Sequence, residues 1–441
     1  GTANVTVGTS ALAQNTTANN NTAIGHLALN ANTTGEYNVA VGGLALDANT
    51  TANYNVAIGY GALGANTTGD LNVAMGAGAL GSNTVGDRNV AIGHNALTSL
   101  NPTSNLDTYN VAIGLNALSQ CSTGTHNVAV GGDCLNSTTT GSDNTAVGSA
   151  ALYSSTTGQD NTAIGRQALN ANTTGNRNTA VGDSTLDVNT TGNDNTACGR
   201  GSLTKCTTGY ENTGCGSDAL EDLTTGYGNV AMGRLAGYQI TTGLYNVCLG
   251  WRAGDDLTTG DNNVMIGVDV NGSGANNGNS INIGYNFSGL GSNYFTFGKS
   301  GSRVYNEFTA NATWNRSSDV RLKKDIQTNT DLGLDFINDL RTVTYKWKAP
   351  SEIDPSLSDY DASKTEADYT NKMYGFIAQE VKQTLDDHNV TDFAGWHIDE
   401  NGDDQIQGIS YEMFVMPLVK AVQELSAKNA ALEARIAALE G

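Results

Sequence analysis

Apolar residues recur along this chain with a fixed period. The unit Asn38-Val39-Ala40-Val41-Gly42 returns as Asn55-Val56-Ala57-Ile58-Gly59, then from Asn72, Asn89, Asn110, Asn127, Asn144, Asn161 and Asn178. It continues from Asn195, Asn212, Asn229, Asn246 and Asn263, with earlier copies at Asn21 and, more weakly, Asn4. A degraded last copy ends at Ile283-Gly284. The spacing is 17 residues, except that 21 separate Asn89 from Asn110, and the extra residues around Ser99 to Asp107 predict one enlarged surface loop. Within each copy Val or Ile alternates with Ala, which reads as a short strand with one branched face and one tiny face. A glycine, a second apolar stretch (Ala-Leu) and a turn such as Asn32-Thr33-Thr34-Gly35 complete the unit.

A unit this short cannot bury a core alone, but a stack of identical units can, which predicts a parallel β-solenoid. At about 4.8 Å per rung, roughly 17 rungs make a shaft on the order of 80 Å long. Glycine after the strand suits positive φ at a corner, and Asn and Thr repeated at every level are expected to form side-chain ladders. The alanine face asks for a close neighbour, expected from a second and third chain around a threefold axis. The Asn-Val-Ala-Ile-Gly unit resembles the head repeat of trimeric autotransporter adhesins. That resemblance implies a left-handed β-roll and a homotrimer, although those repeats are usually shorter and their membrane-anchoring barrel has no counterpart here.

The pattern changes in two steps. From Tyr285 to about Ser317 the repeat gives way to a more aromatic segment (Tyr294, Phe295, Phe297, Tyr305, Phe308, Trp314), read as a β neck. Interleaved strands of three chains are one reading of it, a small ligand-binding tip another. From Ser318 to Gly441 the chain reads as an α+β domain. Thr330 and Asp331 are candidate N-caps for a helix running to about Leu340. A strand is predicted at Thr342–Lys348, a long polar loop at about 350–371, a buried strand at Tyr374–Ile377 and a helix at Ala378–Asp387. The last helix, about 411–440, carries Val415, Leu418, Val422, Leu425, Asn429, Leu432, Ile436 and Leu439 at spacings of three and four. That is an a/d heptad stripe. Its first half could equally pack on its own domain, whereas its Ala-rich end favours self-association. Pro417 belongs in the first turn of such a helix.

Composition narrows the function. The 441 residues include 54 glycines and carry a net charge of −21, and most of the basic residues lie after about residue 300. A shaft without a basic patch argues against nucleic acid as a partner. No stretch approaches the roughly 20 apolar residues of a membrane helix, so no membrane insertion is expected. No secretory leader is read, and the first residues already belong to the repeat. The six cysteines include no CxxC pair and mostly replace Ile, Ala or Asn of the repeat. Cys198 and Cys215 stand at the Ile position and read as small core hydrophobes, in keeping with a reducing cytoplasm. Isolated His388 and His397 suggest no metal, and no cofactor is implied. The Asp255, Asp256 and Asp261 cluster reads as a solvated loop, and the repeat offers no recurring carboxylate pair of the kind glycosidases need.

One stretch suggests covalent chemistry: Ser317-Ser318-Asp319-Val320-Arg321-Leu322-Lys323-Lys324-Asp325-Ile326. A serine becomes a nucleophile when a base takes its proton, and lysine serves only if its pKa falls from about 10.4 toward neutrality. Arg321 and Lys324 beside Lys323 push that way, and burial would add to it. A plain surface turn is the alternative. The pattern Ser-Asp-x-Arg-x-Lys-x-x-Ile resembles the self-cleavage motif of the intramolecular chaperone domain of endosialidase-type phage tailspikes. So do Tyr374-Gly375-Phe376-Ile377-Ala378-Gln379-Glu380-Val381 and Leu418-Val419-Lys420-Ala421-Val422-Gln423-Glu424-Leu425. The resemblance implies a Ser318/Lys323 dyad and a cut beside Ser318 or Asp319. Arg321, Ile326, Gly375, Phe376, Gln379 and Glu380 are its supporting motif residues. It further implies a viral tail fibre or spike that assembles in the host cytoplasm, resides on the virion and attaches to a cell-surface glycan or protein receptor. A non-cleaving adhesin with a permanent trimerisation domain and a carbohydrate-cleaving tailspike are the alternatives.

Overall fold

The computed structural model describes residues 1–308, 315 and 316, 320–357, 360–367, 371–398 and 406–440. The chain divides into two compact units, Gly1–Asp319 and Val320–Gly441.

In the first unit every repeat lays down a three-residue strand, and the strands stack parallel and in register. Val39 pairs with Val56, Ala40 with Ala57 and Val41 with Ile58. The same ladder runs through longer strands at Val264–Asn271 and Ile281–Ser288 to Tyr294–Lys299, where Ser302–Glu307 turns back antiparallel. The expected mainly-β parallel solenoid is therefore what forms.

The alanine face, however, does not point outward. Ala23, Ala40 and Ala57 are fully buried inside the chain's own coil, packed with Ala28, Leu29, Ala45 and Leu46 of the second apolar stretch. In most rungs a methyl-sized side chain lets the two walls of this narrow coil close to interior density, and Cys248 and Met265 fill the same position in later rungs. The larger residues on either side face out instead, and Val7 and Met232 are 58% and 51% exposed. Cys198 and Cys215 share this outward position as register partners, so neither is a core residue. The buried thiols are Cys121, Cys134, Cys206 and Cys248.

Each rung closes through left-handed backbone. The strand-ending Gly131 has φ 139°, and a Cβ there would sit 2.6 Å from the carbonyl oxygen of Gly148 one rung on. More unusual is the buried leucine of the second stretch. Leu29, Leu46 and Leu63 have φ of 50°, 51° and 52°, a region costing a bulky residue on the order of 1–3 kcal/mol. Burial of the side chain and a cross-rung hydrogen bond, such as Leu29 N–H to the Ala45 carbonyl at 3.0 Å, offset that strain.

The ladders form as expected. Asn161 Oδ1 accepts from the Asn178 backbone N–H (3.0 Å) and side-chain amide (3.2 Å), while Asn161 Nδ2 donates to the Gly175 carbonyl (2.9 Å). Thr33 Oγ1 donates to the Thr50 carbonyl at 3.0 Å. The enlarged loop adds its own bridge, Leu106–Asp107 pairing with Gly86–Asp87. Asp255 and Asp256 are not solvated. Asp255 is 8% exposed and ion-paired with Arg252, and burial raises the pKa of Asp256 above the usual aspartate value.

The second unit is small and mixed. Helices α1 (Leu334–Asp339), α2 (Ala378–Asp387) and α3 (Val415–Glu440) accompany two short hairpins. One pairs Val343–Tyr345 with Met373–Gly375, the other Trp396–Ile398 with Gln407–Ile409. Thr330 and Asp331 do not cap α1: Asn329 turns the chain first, its side-chain oxygen accepting from the Asp331 and Leu332 amides, so the helix starts at Leu334. The strands are shorter than their patterns suggest, and Tyr374 is 74% exposed because its hairpin has an uncovered face. Among the described residues of the 350–371 loop a single 3-10 turn, Pro350–Glu352, forms.

Asn161→Ala removes the acceptor of two buried donors and one buried donor itself, so it is expected to cost on the order of 3 kcal/mol or more in denaturant unfolding. Exposed Thr174→Ala on a neighbouring turn should stay within about 0.5 kcal/mol of wild type.

Candidate functional site

Ser317, Ser318 and Asp319 lie outside the described residues. Beyond them the chain makes a single 3-10 turn, Val320–Leu322, closed by a hydrogen bond from the Lys323 N–H to the Val320 carbonyl at 3.1 Å. Lys323 is exposed within this unit, and Val320, Leu322 and Ile326 are 66%, 60% and 62% exposed. Three apolar side chains in ten residues face solvent beside it.

The other motif residues belong to a packed aromatic core. Phe414, just ahead of α3, is its hub: Phe376 and Phe393 stand 5.3 Å and 5.2 Å away, and Phe336 of α1 stacks at 6.4 Å. Val381 and Leu385 on one side of α2 complete the cluster. Phe376 also stacks on Tyr411 at 5.7 Å, and its backbone N–H donates to the Tyr411 hydroxyl at 3.1 Å. A side chain at Gly375 would collide with that hydroxyl, which explains the glycine before Phe376. Glu380 opens α2 and forms a two-armed ion pair with Arg341, which holds its carboxyl below the usual glutamate range. Gln379 sits exposed on the first turn of α2. His388 bonds to Asp339 at 2.8 Å and meets the Phe336 ring edge-on, a structural role. Tyr411 and Arg341 were missed in the sequence; an aromatic just ahead of the terminal helix was the available signal.

Helix α3 has two unlike faces. Phe414, Pro417 and Ala421 are buried against the unit, with Pro417 in the first turn as expected. Glu424 continues that face: its carboxylate accepts from the Leu334 N–H at 2.8 Å, capping α1 from another element, and pairs with Lys420 at 3.2 Å. Gly333 leaves room for it, since a Cβ there would meet Glu424 Oε2 at 2.5 Å. The heptad stripe faces away. Leu418, Val422, Leu425, Leu432, Ile436 and Leu439 are 47%, 65%, 47%, 56%, 54% and 80% exposed, and Asn429 is exposed among them. The stripe is thus uncovered in its first half as well as its second. Helix α3 is amphipathic twice over, with a short inner face for its own unit and a long outer one.

Among the described residues no helix is long and apolar enough to cross a membrane, and no group of three or more His, Cys, Asp or Glu could hold a metal. Residues 318–390 match the family model for peptidase S74, described as chaperone of endosialidase. The match begins at Ser318 and takes in both the lysine motif and the Tyr374–Val381 motif. No curated protein and no solved structure matches the chain.

The Glu424 cap carries a pH dependence. The Leu334 N–H, then Lys420, lower its pKa from the ordinary 4.5. A lowered folded value means the contribution is complete above about pH 4.5 and is lost as pH falls through the folded value. Thermal melts of this unit's near-ultraviolet signal from pH 6 to pH 3.5 should therefore fall more steeply for wild type than for Glu424→Gln. Parallel curves would remove the cap from the account.

Proposed function

Because the chain carries a chaperone-of-endosialidase domain at residues 318–390 behind a 17-residue-repeat β-solenoid, we propose that it is a homotrimeric viral tail fibre or spike whose C-terminal domain aligns the three chains. The observation that carries this reading is the uncovered apolar surface of α3, eight heptad positions without a partner in one chain. Solvent does not tolerate so long a stripe without cost, at about 25 cal/mol per Å² of apolar surface. The coiled-coil spacing supports the same helix of other copies as its cover. Val at a with Leu at d favours two strands by simple rules, and the family relationship is what favours three. The outward branched residues of the shaft strands offer a second surface for the same copies.

In this reading Ser318 attacks a backbone carbonyl and Lys323 accepts the hydroxyl proton. The departing amine takes a proton, and water then hydrolyses the ester to release Ser318. Attack on the preceding carbonyl is an N-to-O acyl shift; cleavage of Ser318-Asp319 needs the serine in another geometry or from another subunit. Lys323 must be neutral to act, and in this reading burial by partner copies makes it so. Trimerisation thus precedes release, and release makes unfolding of the finished shaft kinetically irreversible. Host attachment through a surface receptor, virion location and assembly in the host cytoplasm belong to the same reading. The competing reading is a clamp that trimerises and stays attached.

Intact mass and light scattering of freshly expressed protein separate the two. Wild type should give two fragments meeting beside Ser318, with Ser318→Ala and Lys323→Ala whole but still trimeric. Leu425→Asp with Leu432→Asp should be monomeric and uncut. A wild-type chain that is whole and trimeric leaves only the clamp.

A further inference from the structure

We infer that Cys198, Cys215 and Met232 form a site on the shaft for a soft monovalent metal ion, of the copper(I) class. The inference stands on the first unit alone and does not depend on the fibre reading. The three residues come from consecutive rungs and share one outward column. Cys198 is the register partner of Cys215, and Cys215 is that of Met232. Each follows a buried inner position (Ala197, Gly214 and Ala231), so all three side chains leave the same wall of the coil. Cys198 is exposed, Cys215 half-buried and Met232 51% exposed, so an ion reaches them from solvent. The other four thiols are sealed inside the coil.

The rung spacing decides what two such thiols can do. Register partners on stacked parallel strands hold their side chains about 4.8 Å apart. A disulfide sets its two Cβ atoms at about 3.8 Å, so closing one here would pull the rungs together. A metal–thiolate bond is about 2.3 Å long, so an ion held between two sulfurs spans about 4.6 Å, nearly the rung spacing. The two thiols already interact across the rung, and both are free.

The donor set then selects the ion. Two thiolates and a thioether are soft ligands that suit copper(I), whereas structural zinc takes four donors. Val181 and Leu249 flank the three in register, so no carboxylate or imidazole in the column completes a zinc site or serves a hard cation. Binding replaces two S–H protons, which pass to solvent, by one ion. No oxidation state changes, and the loaded site carries one negative charge. The ion clips three consecutive rungs together, and cross-links that close long loops stabilise the folded chain.

The test titrates copper(I), kept reduced under nitrogen, into the fully reduced full chain in competition with bathocuproine disulfonate. Cys198→Val, Cys215→Val and Met232→Leu introduce residues that adjoining rungs carry at this position. Met75→Leu is the control, an outward methionine between Ile58 and Ile92. Wild type and control should take up one copper(I) per chain with equal affinity, and uptake should raise the thermal unfolding midpoint. Loss of an outer-shell partner alone costs a metal site roughly tenfold or more in affinity, so each of the three ligand variants should weaken uptake at least that far. No uptake by reduced wild type, undiminished uptake by any of the three variants, or tighter holding of zinc than of copper(I) overturns the assignment.

Discussion

Everything in this chain depends on the fact that one rung satisfies the next. Each repeated Asn presents its Oδ1 to the backbone N–H of the Asn a full turn later, and each strand pairs with copies of itself. A single rung has no core worth the name; its alanine and leucine are buried only because rungs lie above and below. The constraint stabilises the stack and also makes it ambiguous. If one chain slips by a full rung against a companion, nearly every local contact is recreated with an equivalent residue. Long parallel β assemblies are in addition slow to nucleate. Repetition therefore calls for something non-repetitive to set the register.

The second unit has that character. Its aromatic core around Phe414 holds the start of α3, the Glu424 cap fixes α1 against it, and the remaining length of the helix is left free on its apolar side. Such a domain has a non-repetitive core and offers one surface of defined polarity and register. In the proposed trimer, aligning three such helices would align the three chains before their rungs are laid down. In the proposed function a cleavage centre completed by assembly would not release the clamp too soon.

Much of this was legible in the sequence, and the exceptions are physical. The period, the strand and the glycine corner follow from local sterics, so the solenoid and its ladders were readable, as were α2 and the stripe on α3. Period two tells which residues share a face and is silent on which face is inside. The alanines and the Cys198/Cys215 pair were accordingly misplaced until the width of the coil was known. The start of α1 escaped for a different reason, since its cap comes from Glu424, far along the chain, and not from the adjacent Thr330 or Asp331. Asp255 looked solvated because its partner Arg252 and its burial are features of the turn, not of composition. The relation between Ser318 and Lys323 rests on motif and family, as Ser318 lies outside the described residues.

The most direct test of the central claim compares the shaft made with and without residues 318–441, by light scattering and proteolysis. The expected result is a protease-resistant trimer when the second unit is present during synthesis. That trimer should persist after the unit is removed, whereas the shaft made alone should give heterogeneous or aggregated species. A shaft that reaches the same resistant trimer unaided would contradict the claim that the C-terminal domain sets its register.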